Sequence, residues 1–251
     1  MEHYVAGRSI VITGGSSGFG LEAARLLLDM GAQVTITGRD AERLARAEAD
    51  LGAADLGSGD NLLCVPADAR STADWQRLLA TVTERFGGLD VLVCNHGAGV
   101  KIAPVEQMSD DEIATVLDIN IGSVIKGCRE AIGVMKPAGR GHIVTVASAC
   151  ARHSWANWSV YTAAKAGLVG YTKCLHLEMA EWGGKATCFI PGAARTGFCD
   201  AAGLDDSWQA GYPGAEEFAR TLVHTIDVPD NCVIETVSIW GTEQVKGFSP
   251  F

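Results

Sequence analysis

Short runs of β-branched and apolar residues alternate along the chain with longer segments of helical periodicity, and this alternation limits the possible folds most strongly. Seven runs are predicted to be strands, at residues 9–13, 33–37, 62–67, 89–94, 142–147, 186–190 and 233–240. Mostly helical segments separate them, and strand–helix–strand units pair their strands in parallel. The sequence therefore predicts the α/β fold class: a doubly wound parallel sheet of about seven strands with helices on both faces.

Capping residues mark the ends of the predicted helices. Gly31 closes the first helix, Asp40 is placed as the N-cap of the second, and capping boxes at Ser71–Asp74 and Ser109–Glu112 open the third and fourth. The helices are predicted at about 21–30, from 40, from 71, at 109–137, 158–182 and 215–226.

Length and charge exclude several classes of protein. A chain of 251 residues predicts a single domain, and the net charge of −10, with no basic run, disfavours partners such as nucleic acid or an anionic membrane. The eight cysteines form no C-x-x-C pair and the histidines no H-E-x-x-H, so no metal site is predicted. Without a signal-like or membrane-spanning segment, we expect a reducing, cytoplasmic location.

The stretch TGGSSGFG at residues 13–20 has two interpretations. Gly14, Ser16 and Gly18 fit the nucleophile elbow of a serine hydrolase, whereas Gly14, Gly18 and Gly20 fit a glycine loop that binds a dinucleotide pyrophosphate. An elbow needs an earlier strand to supply its oxyanion loop, and here the serine follows the first strand. The position therefore favours the dinucleotide loop.

The end of the second predicted strand bears on the choice of cofactor. An acid at this point binds a free 2′-hydroxyl of the adenosine ribose, and an arginine binds a 2′-phosphate. Both Arg39 and Asp40 are present, but Asp40 already has a structural role as an N-cap. We therefore favour NADP(H), with NAD(H) possible if Arg39 is only a solvated surface residue.

Three residues are candidates for the chemistry. Tyr161 and Lys165 are four apart in one predicted helix and so share a face, and Ser148 follows the strand 142–147. A nearby ammonium is predicted to lower the tyrosine pKa, and the serine hydroxyl to bind the reacting carbonyl oxygen. As a pair alone, Tyr161 and Lys165 also fit an ordinary helix surface.

Together with TGGSSGFG, the serine and the Y-x-x-x-K motif resemble the short-chain dehydrogenase/reductase family, and the resemblance spans essentially the whole chain. It implies a single-domain Rossmann-like fold over 1–251. It also implies an oxidoreductase that moves a hydride between a nicotinamide cofactor and a carbonyl or alcohol. Tyr161 would be the proton donor and acceptor, Ser148 would orient the carbonyl, Lys165 would bind the nicotinamide ribose, and Asn120 would complete a proton relay.

The resemblance also implies the cofactor contacts. Asp68 would contact the adenine, and the segment from Pro191 to Thr196 would hold the nicotinamide carboxamide. The predicted cofactor-binding residues are Gly14, Ser16, Ser17, Gly18, Phe19, Gly20, Arg39, Asp68, Ala69, Asn95, Gly97, Tyr161, Lys165, Pro191, Gly192, Ala194 and Thr196.

Two positions depart from the family's usual pattern. Cys94 and His96 stand in a segment where the family has N-N-A-G, and Ala194 replaces a larger aliphatic residue. His96 has two open interpretations: a wall of the substrate or nicotinamide pocket, or a strand-end histidine bonded to a neighbouring carbonyl.

The predicted substrate pocket comprises His96, Ala149, Cys150, His153, Trp155 and Trp158. The two tryptophans are either an aromatic wall or a subunit contact. Lys101, Arg152 and Arg195 are either attractors of an anionic substrate or solvated surface residues. A predicted lid at 195–213 carries Asp205 and Asp206, which favours a small polar ketone, aldehyde or secondary alcohol.

Further expectations concern assembly and alternative functions. The resemblance implies a homo-oligomer, a tetramer or dimer packed through helices 110–136 and 158–182, with the terminal GFSPF reaching a neighbouring subunit. The alternatives are an NAD-linked alcohol dehydrogenase of the same family and a non-catalytic cofactor-binding regulator.

Overall fold

The computed structural model describes residues 3–53, 60–97, 101–198 and 212–245. Its strands are β1 (Ser9–Thr13), β2 (Gln33–Gly38), β3 (Leu62–Pro66), β4 (Val91–Cys94), β5 (Gly141–Val146), β6 (Gly184–Pro191) and β7 (Thr236–Ile239). Its α-helices are α1 (Gly18–Asp29), α2 (Ala41–Ala53), α3 (Thr72–Phe86), α4 (Asp110–Leu117), α5 (Ser123–Met135), α6 (Ser159–Ala180), α7 (Ala215–Ile226) and α8 (Thr242–Val245).

The seven strands form one parallel sheet in the order β3-β2-β1-β4-β5-β6-β7. This order confirms the predicted doubly wound α/β fold. The chain winds outwards in one direction to β3 and then crosses to β4 on the other side of β1. A crevice opens where the winding reverses, at the carboxyl ends of β1 and β4, and open α/β sheets bind ligands at such points.

Two apolar cores cover the two faces of the sheet. Alternate strand residues point to opposite faces, so Ile10 and Ile12 of β1 join one core and Val11 joins the other. The first core includes side chains of α1, α2 and α7, and the second includes side chains of α3, α5 and α6. The helices thereby hold the strand ends, and the crevice between them, in fixed positions.

Several predicted boundaries were wrong in detail. The first helix begins at Gly18, three residues before the predicted start, and the predicted helix 109–137 contains a π-helical turn at Asp118–Gly122. The Ser109–Glu112 capping box is confirmed. The box at Ser71 is only half formed: Ser71 Oγ accepts from the Asp74 amide, but Asp74 Oδ2 accepts from the Asp68 amide instead.

Two predictions fall on residues that the structure does not describe. Most of the predicted lid at 195–213, including Asp205 and Asp206, lies outside the described residues, as does the terminal GFSPF. Among the helices of the described ranges, none has the length and apolar character needed to cross a bilayer.

Candidate active site

A cleft of about 1370 Å³ lies at the carboxyl edge of the sheet. The ends of β1, β2, β4, β5 and β6 contribute to its lining, together with α6. It brings together most of the predicted site residues: Gly14, Ser16, Ser17, Gly18, Phe19, Arg39, Asp68, Ala69, Asn95, His96, Gly97, Ser148, Ala149, Cys150, Trp155, Trp158, Tyr161, Lys165, Pro191, Gly192, Ala194 and Thr196.

Three predicted site residues do not line the cleft. Gly20 lies behind the glycine loop, where an added Cβ would be 2.6 Å from both Asn95 Nδ2 and the Gly14 carbonyl oxygen. Asn120 is buried in the π-helical turn. His153 packs edge-on against the ring of Trp240, with 4.9 Å between ring centroids. Gly20 and Asn120 therefore support the wall of the cleft from behind.

The glycine loop has the backbone that a dinucleotide pyrophosphate requires. Gly14 and Gly18 have φ angles of +64° and +54°, which residues with a side chain rarely adopt. Ser17, the N-cap of α1, makes no side-chain capping bond, so the first amides of the helix remain available to an anion. The loop therefore fits a nicotinamide dinucleotide, with Gly14 to Phe19 placed to hold its phosphates.

Asn95 braces this loop from β4. Its amide nitrogen donates to the carbonyl oxygens of Thr13 at 3.1 Å and Gly14 at 3.3 Å. These bonds join the carboxyl ends of the two strands that flank the crevice. Asn95 therefore shapes the loop as well as lining the cleft.

The far end of the cleft carries the charged residues predicted to face the adenosine. Asp40 Oδ1 accepts from the Arg43 amide at 2.9 Å, which confirms its role as N-cap of α2, and this bond lowers the Asp40 pKa. Asp68 pairs with Arg70, with 2.7 Å between Oδ2 and Nη2, and this bond lowers the Asp68 pKa. Among the ion pairs of the described residues none involves Arg39, which is exposed and lines the cleft.

The three candidate catalytic residues meet at the opposite end. Ser148 follows β5 and caps a short 3-10 turn, Ala149–Ala151, by accepting from the Cys150 amide at 3.2 Å. Tyr161 and Lys165 are both buried, on the face of α6 that packs against the sheet. Lys165 Nζ donates to the Val146 carbonyl at 2.9 Å and lies 5.8 Å from the centre of the Tyr161 ring.

Burial dominates the titration of this group. It raises the pKa of the Tyr161 phenol well above its usual value, with Cys150 adding to the rise and a hydrogen bond from Ser148 opposing it. It also lowers the pKa of Lys165 to about 8. Desolvation of the phenolate therefore dominates, and a lowering of the Tyr161 pKa by Lys165 stays a prediction. The phenol keeps its proton at neutral pH.

The π-helical turn brings Asn120 close to this group. Asn120 Nδ2 donates to the Val116 carbonyl at 3.0 Å. A Cβ added at Gly97 would be 3.1 Å from Asn120 Oδ1 and 3.3 Å from Lys165 Nζ, so both polar atoms face the same glycine. Gly97 thus keeps space beside Lys165 that any side chain would reduce.

His96 links the end of β1 to the first residue of α5, directly after the π-helical turn. Its Nδ1 is 2.7 Å from Thr13 Oγ1, and its Nε2 is 2.7 Å from Ser123 Oγ. Thr13 Oγ1 also lies 3.2 Å from the Val93 carbonyl and Ser123 Oγ 2.9 Å from the Ile119 carbonyl, and the neutral ring donates one of its two hydrogen bonds and accepts the other. Burial, with Lys165 and Arg39 nearby, lowers the His96 pKa to about 3, which keeps the ring neutral. Its partners are hydroxyls, not the backbone carbonyl that one interpretation predicted.

The hydrolase interpretation has no support in this geometry. The histidine that lines the cleft, His96, is bonded to Thr13 and Ser123 and not to Ser16. No group of three or more potential metal ligands occurs within the described ranges.

Comparison with known proteins agrees with this arrangement, since residues 8–206 match the short chain dehydrogenase family. The chain belongs to that family. It is similar to a reductase of Mycobacterium tuberculosis named for a (5R,7aS)-5-hydroxy-7a-methyl-1-oxo-hexahydroindene-carboxyl-CoA, with 37% identity over 85% of this chain and 80% of the relative.

Two solved structures of similar fold differ in their cofactor. A 3-ketoacyl-(acyl-carrier-protein) reductase from Brucella melitensis in complex with NADH has a TM-score of 0.84 and 26% identity, covering 95% of this chain and 98% of that one. A metagenomic short-chain oxidoreductase in complex with NADP has a TM-score of 0.79 and 25% identity, covering 94% and 97%. This short-chain dehydrogenase is thus an oxidoreductase of a fold that binds a nicotinamide cofactor.

Sequence reasoning missed several residues that line the cleft of this short-chain dehydrogenase. Gln244 of α8 is buried, donates to the Ala193 carbonyl, and accepts from the Gly241 amide at 3.2 Å. Its position just beyond the carboxyl end of β7 was a usable signal, because every ligand-binding loop of this fold lies at that edge. The other missed lining residues include Arg43, Arg70, Trp75, Phe198, Tyr212 and Trp240.

Proposed function

We propose that the protein is an NADP(H)-dependent carbonyl reductase or alcohol dehydrogenase that interconverts a ketone or aldehyde and the corresponding alcohol. The observation that carries this proposal is the meeting of Ser148, Tyr161 and Lys165 in the same cleft as the glycine loop. A regulator without turnover would not need a buried phenol, hydroxyl and ammonium beside its cofactor site, since burying such groups costs free energy.

Each catalytic residue has a distinct task in the proposed reaction. Bound nicotinamide supplies or accepts the hydride. The Tyr161 hydroxyl donates a proton to the carbonyl oxygen during reduction, and its raised pKa means that the proton is present at neutral pH. The Ser148 hydroxyl orients that oxygen by a hydrogen bond. Lys165, whose Nζ donates to the Val146 carbonyl, would bind the nicotinamide ribose and stabilise negative charge on the phenol oxygen.

The preference for NADP(H) rests on Arg39. Asp40 accepts from the Arg43 amide and Asp68 pairs with Arg70, so both carboxylates already have a partner within the chain. The Arg39 guanidinium is available to a 2′-phosphate, which it can bind with two parallel hydrogen bonds. The expectation that the substrate is small and polar came from Asp205 and Asp206, and no contact within the described residues supports it.

The test is a fluorescence titration of the protein with NADPH and with NADH, for the native chain and for Arg39→Ala. We expect tighter binding of NADPH, and a loss of about 10- to 100-fold for NADPH alone in the variant, the equivalent of one charge-assisted contact. Arg46→Ala is the matched control, because Arg46 is an exposed arginine of α2 that does not line the cleft.

The outcomes separate the alternatives. Equal weakening of both cofactors by Arg39→Ala, or a preference for NADH that the change leaves intact, would contradict the assignment and favour an NAD-linked dehydrogenase. Cofactor binding without reduction of any ketone or aldehyde, and without oxidation of any alcohol, would favour a regulator. A Ser16→Ala variant should keep its activity, and loss of an esterase activity there would restore the hydrolase interpretation.

A further inference from the structure

Aromatic side chains surround the catalytic tyrosine on the side of the cleft away from the glycine loop. Trp158 meets the Tyr161 ring edge to face, with centroids 5.6 Å apart and an interplanar angle of 72°. Phe198 lies 5.8 Å from Tyr161 and stacks on Trp158 at 6.4 Å and 13°. These three rings, the Tyr161 cluster, form one continuous apolar wall.

A second group of rings lines the same cleft. Trp240, just after β7, contacts the His153 ring, and His153 in turn lies 6.2 Å from Trp155. Trp155 and Trp240 both line the cleft, as does Tyr212. The aromatic surface therefore comes from four separate parts of the chain and is a property of the folded site.

Most charged residues of the described lining lie at the other end of the cleft from these rings. Among the described lining residues, the charged ones other than Lys165 lie at the Arg39 end of the cleft, and Lys165 near Tyr161 is bound to the Val146 carbonyl. Lys101 pairs with Glu112 at 3.0 Å, and neither Arg152 nor Arg195 lines the cleft. Within the described ranges, the Tyr161 end thus offers hydroxyl groups for one carbonyl oxygen and aromatic faces for the rest of a substrate.

From this arrangement we propose that the substrate carries a hydrophobic ring, aromatic or alicyclic, next to or containing the reacting carbon, and that Trp158 determines specificity for it. The inference rests on the proposed carbonyl–alcohol chemistry and names its substrate class. The aromatic wall favours a hydrocarbon ring on the substrate, because the wall and the substrate ring both leave water when they meet. The substrate ring can also stack on the aromatic side chains. Hydroxyl groups placed against the ring faces would lose water and gain no hydrogen bond from those faces.

The test compares kcat/KM for ketones that differ in ring structure and polarity, measured with the preferred cofactor. Cyclohexanone and 2-tetralone present hydrocarbon rings, tetrahydropyran-4-one is a polar ring of nearly the same shape as cyclohexanone, and hydroxyacetone is small and polar. We expect the hydrocarbon rings to exceed hydroxyacetone by at least about 10-fold, and cyclohexanone to exceed its oxygen analogue.

Variants then test the role of Trp158. The ratio of kcat/KM for 2-tetralone to that for hydroxyacetone should fall about 10-fold in Trp158→Ala and less than about 3-fold in Trp158→Phe, which keeps an aromatic face. The ratio cancels any general disturbance of Tyr161. Leu177→Ala, at a side chain of α6 that is 71% exposed, is the distant control and should leave the ratio unchanged. NADPH binding and thermal unfolding report whether each variant folds.

The results separate this inference from the proposed function. If the four ketones are reduced and hydroxyacetone is as good a substrate as the rings, the ring inference is overturned and the proposed function stands. If the ring preference appears but survives in Trp158→Ala, the assignment of Trp158 is overturned. If NADPH and NADH both fail to bind, or none of these or other carbonyls is reduced, the proposed function fails and the inference fails with it.

Discussion

At the glycine-loop end of the cleft the described surface is largely backbone, hydroxyl and amide, whereas a group of aromatic rings lies at the Tyr161 end. The loop depends on close approaches between main-chain atoms and the Asn95 amide, as at Gly20, where an added methyl group would lie 2.6 Å from both Asn95 Nδ2 and the Gly14 carbonyl oxygen. The aromatic wall depends on area and shape, as in the stack of Trp158 on Phe198. We infer that the first end tolerates few substitutions and fixes the cofactor, while the second can be rebuilt to change the substrate.

Tyr161 stands where the two ends meet, and its hydroxyl gives the largest expected effect. Tyr161→Phe removes the hydroxyl that we propose as proton donor, together with its hydrogen bond to Ser148, so kcat/KM for ketone reduction should fall by about 10²- to 10⁴-fold. NADPH affinity should change by less than about 3-fold, since the ring and its contacts remain. Steady-state kinetics and fluorescence titration measure the two quantities.

Tyr171→Phe is the matched control for this change, because Tyr171 lies on the same helix ten residues later and does not line the cleft. It should keep most of its activity. Comparable losses in the two variants would mean that the phenol of Tyr161 acts through the stability of α6 and not through proton transfer.

Gly20→Ala tests whether the glycine loop tolerates an added methyl group. Because the new methyl group has no space between Asn95 and Gly14, the loop must move, and we expect NADPH affinity to fall at least about 10-fold. The free energy of unfolding should fall by about 1–3 kcal/mol, as is usual for overpacked sites. Titration with NADPH and chemical denaturation check the two effects.

Gly170→Ala provides the contrast, since a Cβ at this position of α6 meets no atom within 4 Å. Alanine there should raise the free energy of unfolding by about 0.5–1 kcal/mol and leave NADPH binding unchanged. If Gly20→Ala behaved in the same way as Gly170→Ala, the distinction between a strict loop end and a tolerant remainder would be lost.

The sequence predicted the loop end better than the aromatic end for a physical reason. Gly14, Gly18 and the Tyr161–Lys165 pair carry local signals, because a positive φ or a helical face is determined within a few residues. The aromatic end is assembled from Trp158, Phe198 and Trp240, which lie far apart in sequence and meet only through the fold. The raised Tyr161 pKa was missed for the same reason, since burial depends on packing that spacing does not reveal.

The smallest expected effect concerns pH. A buried histidine at the glycine-loop end should make the free energy of unfolding sensitive to acid. The pKa of His96 is about 3 in the folded chain and about 6.5 in an unfolded chain, so the unfolded state binds more protons between these values. The free energy of unfolding therefore falls as pH drops below about 6.5, by up to about 1.4 kcal/mol per pH unit for this histidine. His142, bonded to Thr187 in the sheet and also lowered to about 3, adds an equal slope.

Replacing either histidine should flatten this dependence between pH 6.5 and 5, where few carboxylates titrate. Denaturation curves at several pH values for His96→Asn and His142→Asn measure the slopes, and each variant should lose about half of the native slope. Only His96→Asn should also weaken NADPH binding, because it alone removes the ring that links Thr13 to Ser123 beside the glycine loop. If both variants bound NADPH like the native protein, the His96 bridge would stabilise the fold without shaping the cofactor end of the cleft.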